Sequence, residues 1–210
     1  MSTVRFRVLA AALLASLSLA GCAVAPPPPM TTLDGRICTP APDFTLSHPL
    51  ELGARATIMS FDQNTPCWQS AEGKRSAYVL FTLPNGIEPY LLSVTSAPIG
   101  QALIAPHLYL LDGLGNKLRD ASRDSFAFHG SSLSMNLRAY PNERYLLVAS
   151  EPDTLGGGGS QLRDGVVVTN YSTGYGGFVS IHTGFEQNQN YVYAVNGTII
   201  VSAEPIPKVN

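Results

Sequence analysis

The chain has 210 residues, 45% hydrophobic and 13% charged, with 13 Lys and Arg against 15 Asp and Glu and a formal charge of −2. A mildly acidic balance without a Lys/Arg cluster argues against a nucleic-acid partner, and the length suits one domain with a substantial core. The cysteines, at positions 22, 38 and 67, lack the Cys-x-x-Cys spacing of a redox or zinc site.

The first 21 residues read as an export signal. Arg5 and Arg7 precede an apolar run from Val8 to Leu19 that contains no acid; a mature membrane-spanning helix takes roughly 20 apolar residues. The run closes on Leu19-Ala20-Gly21-Cys22, which resembles the lipobox of bacterial lipoprotein signals. Small side chains let the backbone enter a peptidase cleft, and the Cys22 thiol is the one group there nucleophilic enough to take a lipid by thioether linkage. At about 0.8 kcal/mol per buried methylene, several acyl chains on Cys22 make a lasting membrane anchor. An ordinary secretory signal with an incidental cysteine is the alternative. Ala23 resembles the default outer-membrane sorting signal of enteric bacteria, so the expected location is the cell envelope, at the outer membrane facing the periplasm.

Residues 22–43 hold the acylated cysteine and then Pro26-Pro27-Pro28-Pro29, Pro40 and Pro42, with little to bury. Proline favours extended polyproline geometry, which predicts a semi-rigid linker between membrane and domain; a Pro-x-x-Pro ligand for a partner is the sharper alternative. Cys38 and Cys67, in an oxidising compartment, are a disulfide candidate. A bridge closing a loop of about 30 residues is worth roughly 3–4 kcal/mol in the chain-entropy model. Two free buried thiols are the other reading.

From Phe44 to residue 210 the periodicity is that of strands. Glu88 to Ala97 sets Tyr90, Leu92 and Val94 against Ser93 and Thr95, and Ser131 to Arg138 alternates Leu133, Met135 and Leu137 with polar residues. Both predict half-buried strands. Tyr78-Val79-Leu80-Phe81, Leu108-Tyr109-Leu110-Leu111 and Tyr145-Leu146-Leu147-Val148-Ala149 are apolar on both sides, as central strands are. Turn signals separate them at Pro84-Asn85-Gly86, Asp112-Gly113, Gly115-Asn116 and Tyr140-Pro141-Asn142. Asn196-Gly197, between Tyr191–Val195 and Thr198–Ala203, predicts the firmest hairpin in the chain. After the signal no window shows a sustained helical period, so the expected fold is all-β: a single β-sandwich, jelly-roll-like domain.

The order of KRSAYVLFTL (Lys74 to Leu83) before Pro84, EPYLLSVTS (Glu88 to Ser96), APHLYLLD (Ala105 to Asp112) and YLLVAS (Tyr145 to Ser150) is similar to the maltose operon periplasmic protein family. That resemblance covers roughly residues 44–155, with a weaker echo at Asn196-Gly197. It implies an exported, non-enzymatic β-domain that is an accessory of maltose and maltodextrin transport, with no catalytic residues to carry over. The lipobox at Cys22 and the glycine-rich stretch after Leu155 lie outside the family pattern. A structural or protein-interaction lipoprotein with no sugar role is the alternative.

Motifs of catalysis are absent: there is no Gly-x-Ser-x-Gly elbow, His-Glu-x-x-His pair or Walker loop. Asp124, His129 and Ser131 or Ser132 read as surface residues around a turn rather than a triad. His107 reads as a structural histidine, and Asp112-Gly-Leu-Gly-Asn116, without a later bidentate acid, as a turn rather than a calcium loop. No cofactor or metal is expected. Candidate ligand or partner contacts are Trp68, the sole tryptophan, and Tyr171, Tyr175 and Phe178, aromatics interleaved with glycine in a loop expected over Asp153 to Gly177. A maltodextrin or another envelope protein is the expected partner. The bland alternatives are a tryptophan packed on a disulfide and a solvent loop.

Overall fold

A computed structural model describes residues 25–70, 72–86, 88–172 and 178–207, with the backbone path alone over 162–172 and 178–187. Cys22, the signal and Tyr175 lie outside the described residues. The chain is all-β. Its strands are β1 (His48–Pro49), β2 (Thr57–Phe61), β3 (Cys67–Gln69), β4 (Arg75–Thr82), β5 (Tyr90–Ala97), β6 (Ala102–Leu103) and β7 (Pro106–Leu111). They continue with β8 (Lys117–Ala121), β9 (Ala127–His129), β10 (Ser132–Ala139), β11 (Tyr145–Ser150), β12 (Gly158–Ser172), β13 (Phe178–Tyr193) and β14 (Gly197–Pro205).

Two main sheets pack face to face. One runs β1-β4-β11-β7-β8, with β3 beside β4, and the other β2-β14-β5-β10-β9. A single buried cluster takes Val79, Phe81, Leu108, Leu110, Leu146 and Val148 from the first, and Leu92, Val94, Leu133, Leu137, Ile199 and Val201 from the second. Side chains alternate across a strand, so the pattern of each strand reports what its second face meets. β5 alternates buried and half-buried positions along its whole length, because the outer face of its sheet meets solvent. The three doubly apolar runs are β4, β11 and β7, adjacent in one sheet, and their outward residues Tyr78, Leu80, Leu111, Leu147 and Ala149 form a second buried cluster under Phe44, Trp68, Tyr109 and Tyr145.

Three expectations are corrected. The segment expected to be a semi-rigid linker over residues 22–43 is docked on the domain from Pro28 onward. Leu33 is 4% exposed, the Val195 N–H donates to the Met30 carbonyl at 2.7 Å, and Asn196 binds just before that point, accepting from Met30 N at 2.7 Å and donating to the Pro28 carbonyl at 3.0 Å. Proline removes donors but keeps its carbonyl, so a proline-rich stretch can still be held through its acceptors. Asn196-Gly197 makes no hairpin: β14 pairs with β2 and β5, while β13 pairs with β12 and β6. Neither residue takes the positive φ that a tight hairpin turn needs. Finally, the loop expected over Asp153 to Gly177 is strand from Gly158 to Ser172, one arm of a hairpin with β13; Val166 to Thr169 supplies the β-formers that the surrounding glycines mask.

Candidate functional site

One edge of β4 is only partly covered. β3 flanks Arg75 to Ala77, the Tyr78 N–H donates to the Pro66 carbonyl at 2.9 Å, and β1 flanks Phe81 and Thr82, so the gap between them lies at Val79 and Leu80. β2, the edge strand of the opposite sheet, closes the far side. The result is a cleft of about 430 Å³ lined by Thr45, Ser47, His48, Ser60, Asp62, Asn64 and Thr65 among its polar residues, and by Leu46, Met59, Pro66, Tyr78, Val79 and Leu80 among its apolar ones.

Local chemistry fixes these walls. Asp43 caps the single helical turn Phe44–Leu46: its carboxylate accepts from Thr45 N at 2.9 Å and Thr45 Oγ1 at 2.7 Å. Those bonds hold the Asp43 carboxyl below its ordinary value. The Asp43 N–H donates to the Tyr78 hydroxyl at 2.7 Å, which lays the turn across the outer face of the sheet. On the other wall, Asp62 Oδ1 accepts from Asn64 N at 2.7 Å, and Thr65 Oγ1 accepts from Asp62 N at 2.8 Å. The Arg36 guanidinium, from the docked N-terminal segment, donates to the Thr65 carbonyl.

Tyr78 joins the cleft to an aromatic strip. Its ring lies 5.7 Å from Trp68, Trp68 lies 5.6 Å from Tyr109, and Tyr109 stacks on His107 at 4.4 Å with the planes 3° apart. His107 Nδ1 is 2.6 Å from Glu151 Oε2 and Nε2 is 3.0 Å from Asp120 Oδ2, with Lys117 Nζ 3.2 Å from the second Asp120 oxygen. The His107 hydrogen bond is the main cause that holds the Asp120 carboxyl low. Burial, and then the charges of Glu151 and Asp120, push the Tyr109 phenol up to about 12.

No protein-family model, curated protein or solved structure matches this chain. Among the described residues, no three of His, Cys, Asp and Glu converge as metal ligands would.

The candidate contacts are scattered. Trp68 is half-buried and borders the cleft through Tyr78. Its neighbour Cys67 is bonded to Cys38, which pins the N-terminal segment beside β3, where Thr39 N donates to the Cys67 carbonyl at 3.0 Å. Tyr171 and Phe178 sit on the β12–β13 hairpin, opposite Val179 and Ser172. His129 stands opposite Ser132 across the β9–β10 ladder, but the Asp124 side chain is 95% exposed and 3.9 Å from Arg123, a surface arrangement. Asp112 accepts from Leu114 N, Asn116 N and Asn116 Nδ2, the self-contained turn of the β7–β8 hairpin. Sequence reasoning missed the cleft: Thr45 to His48, Met59 to Pro66 and Tyr78 to Leu80 carry no common spacing, and only the topology unites them.

Proposed function

We propose that the protein is a non-catalytic lipoprotein of the bacterial cell envelope, anchored at Cys22, whose edge cleft binds a short glucan as an accessory to maltodextrin uptake. The lining of the cleft carries this reading. A pyranose ring presents apolar C–H faces and a girdle of hydroxyls, and the cleft offers the exposed Leu46 and the half-buried Met59 and Pro66 beside the hydroxyls of Thr45, Ser47 and Ser60, the Asn64 amide and the Asp62 carboxylate, over a floor of Tyr78, Val79 and Leu80. Its volume falls in the range of small-ligand sites, about 300–1,000 Å³. The lipobox supports the anchor, and the resemblance of residues 44–155 to the maltose operon periplasmic proteins supports the sugar class.

Calorimetric titration of the full chain in detergent with maltotriose and maltoheptaose tests it. Binding is expected, weakened at least about tenfold, or ~1.4 kcal/mol, by Ser60→Trp, since Ser60 is exposed at the cleft and an indole there fills it. No heat and no rise in melting temperature at millimolar sugar rejects the sugar class. Unchanged recovery of a Cys22→Ser chain in the membrane fraction rejects the anchor.

A further inference from the structure

The β12–β13 hairpin is built unlike the rest of the molecule. It runs through fifteen consecutive pairs, Gly158↔Val192 to Ser172↔Phe178, without a register shift, a ribbon of about 50 Å at 3.4 Å per residue. Its one strand partner among the described residues is β6, at Val192 and Tyr193. A two-stranded ribbon is marginal in water, and a third strand is usually needed for stability. Long free edges are normally blunted by Lys, Pro, charge or a bulge. From Gly165 to Phe185 the chain contains no Pro, Lys, Arg, Asp or Glu, so neither edge carries those defences over this stretch.

The direction of the free donors follows from the base. Val192 N–H donates outward, to the Gln101 carbonyl at 2.8 Å. Antiparallel residues alternate between bonding inward and outward, so even-numbered positions along both strands, Ser180 and His182 among them, turn their N–H away from the hairpin. Each copy of the chain therefore offers one β12 edge and one β13 edge. A foreign strand would satisfy one and leave the other open.

We propose that the β12–β13 hairpins of several copies of this chain pair edge to edge, β13 of one copy against β12 of the next, closing into a ring with no free edge. This continues the antiparallel meander from copy to copy, and head-to-tail contacts of this kind close when the rotation permits. Odd positions, Val167, Thr169, Tyr171, Val179, Ile181, Thr183 and Phe185 among them, share one side of the ribbon, and even ones, with Asn170, Ser172, Ser180 and His182 beside Val166, Val168 and Phe178, the other, so the odd side is the more apolar. A closed ring gives those unlike faces unlike surroundings. The proposal stands independently of the sugar cleft.

Sedimentation of the full chain in detergent reads the assembly directly. With two strands per copy, and eight strands the smallest usual closed barrel, a mass of about four chains or more is expected. Ser180→Pro removes an outward donor while sparing the inner ladder, and should reduce the mass to one chain with the same melting temperature. If that variant fails to fold, cross-linking decides: Asn170→Cys and Ser180→Cys chains, treated with a bismaleimide, should join when mixed and far less when each is alone. A single-chain mass for the unaltered protein overturns the proposal, including one whose hairpin enters vesicles as a monomer. So does an oligomer that Ser180→Pro leaves intact, or cross-linking no greater in the mixture.

Discussion

Gly197 opens β14 where the chain passes from one sheet to the other, and a Cβ there would stand 2.9 Å from Ile104 Cγ1 and 3.2 Å from its Cδ1. Ile104 is fully buried, so its side chain cannot swing into solvent. Two effects compete in Gly197→Ala. Its φ is not positive, so alanine fits the backbone and gains about 0.4–1 kcal/mol by restricting the unfolded chain. Overpacking a filled core costs about 1–3 kcal/mol, and the clash wins. A melting temperature about 2–8 °C lower is expected. In an Ile104→Ala background the same substitution should become neutral or stabilising, and a cost that persists there would show that the clash is not its origin. The glycine is required for closeness of packing, which is why reading Asn196-Gly197 as turn chemistry led to the wrong sheet.

Among the elements, the N-terminal segment departs most from its sequence signal. Four successive prolines describe a spacer by every local rule, yet residues 28–43 pass beside Asn196 and β3 and end in the turn that covers the outer face of β4. What holds the segment is distant in sequence: Asn196, the β3 backbone and Cys67. The Cys38–Cys67 bridge is its one covalent tie, so a Cys38→Ser/Cys67→Ser chain should lose roughly 3–4 kcal/mol, about 7–14 °C in melting temperature. Limited proteolysis should then cut within residues 28–43 before the domain unfolds. Unaltered melting and an uncut segment would mean that the hydrogen bonds alone hold it. The strands were more legible. The double-sided apolar runs are the central trio β4, β11 and β7, and the alternating runs are β5 and β10, because burial on one face or two is written into each strand's own residues. Strands of two or three residues, such as β1, β3 and β6, are too short to show a period. Trp68 stood out by its rarity, whereas Tyr78 and Tyr109 disappeared into runs that read as core.

At the scale of the whole molecule, the core between the sheets and the outer face of one sheet each carry a phenol that burial holds in the neutral form. Tyr90, 2% exposed at the start of β5, has a hydroxyl with no hydrogen-bond partner among the described residues; burial, then the charge of Glu143, pushes it up to about 12. Tyr109, on the outer face, is pushed up to about 12 as well. For an acid raised in the folded state, the folded chain holds the proton more tightly, so this contribution is whole below about pH 10 and is lost as pH climbs towards 12. A rise of two units on one fully buried phenol is worth about 3 kcal/mol, against a total stability of about 5–15 kcal/mol. The half-buried Tyr109 contributes less because solvent screens it. At the acid end, Asp43, Asp112 and Asp120 are held below their ordinary value chiefly by hydrogen bonds. Their contribution is present above about pH 4 and lost below it, and their exposure keeps it small. The melting temperature is therefore expected to fall between pH 10 and 12 and to decline gradually in acid. Phenolate absorbance should show Tyr90 and Tyr109 titrating late, with Tyr193, which burial also raises, above the ordinary value. The fluorescence of Trp68, the only tryptophan and 5.6 Å from Tyr109, should change in the same step. Tyr90→Phe removes a buried hydroxyl that has no partner, so it should move the alkaline midpoint upward while leaving stability at pH 7 equal or greater. If all nine tyrosines titrate near 10 while the fold persists, neither phenol is shielded as the two-sided burial of this sheet pair requires.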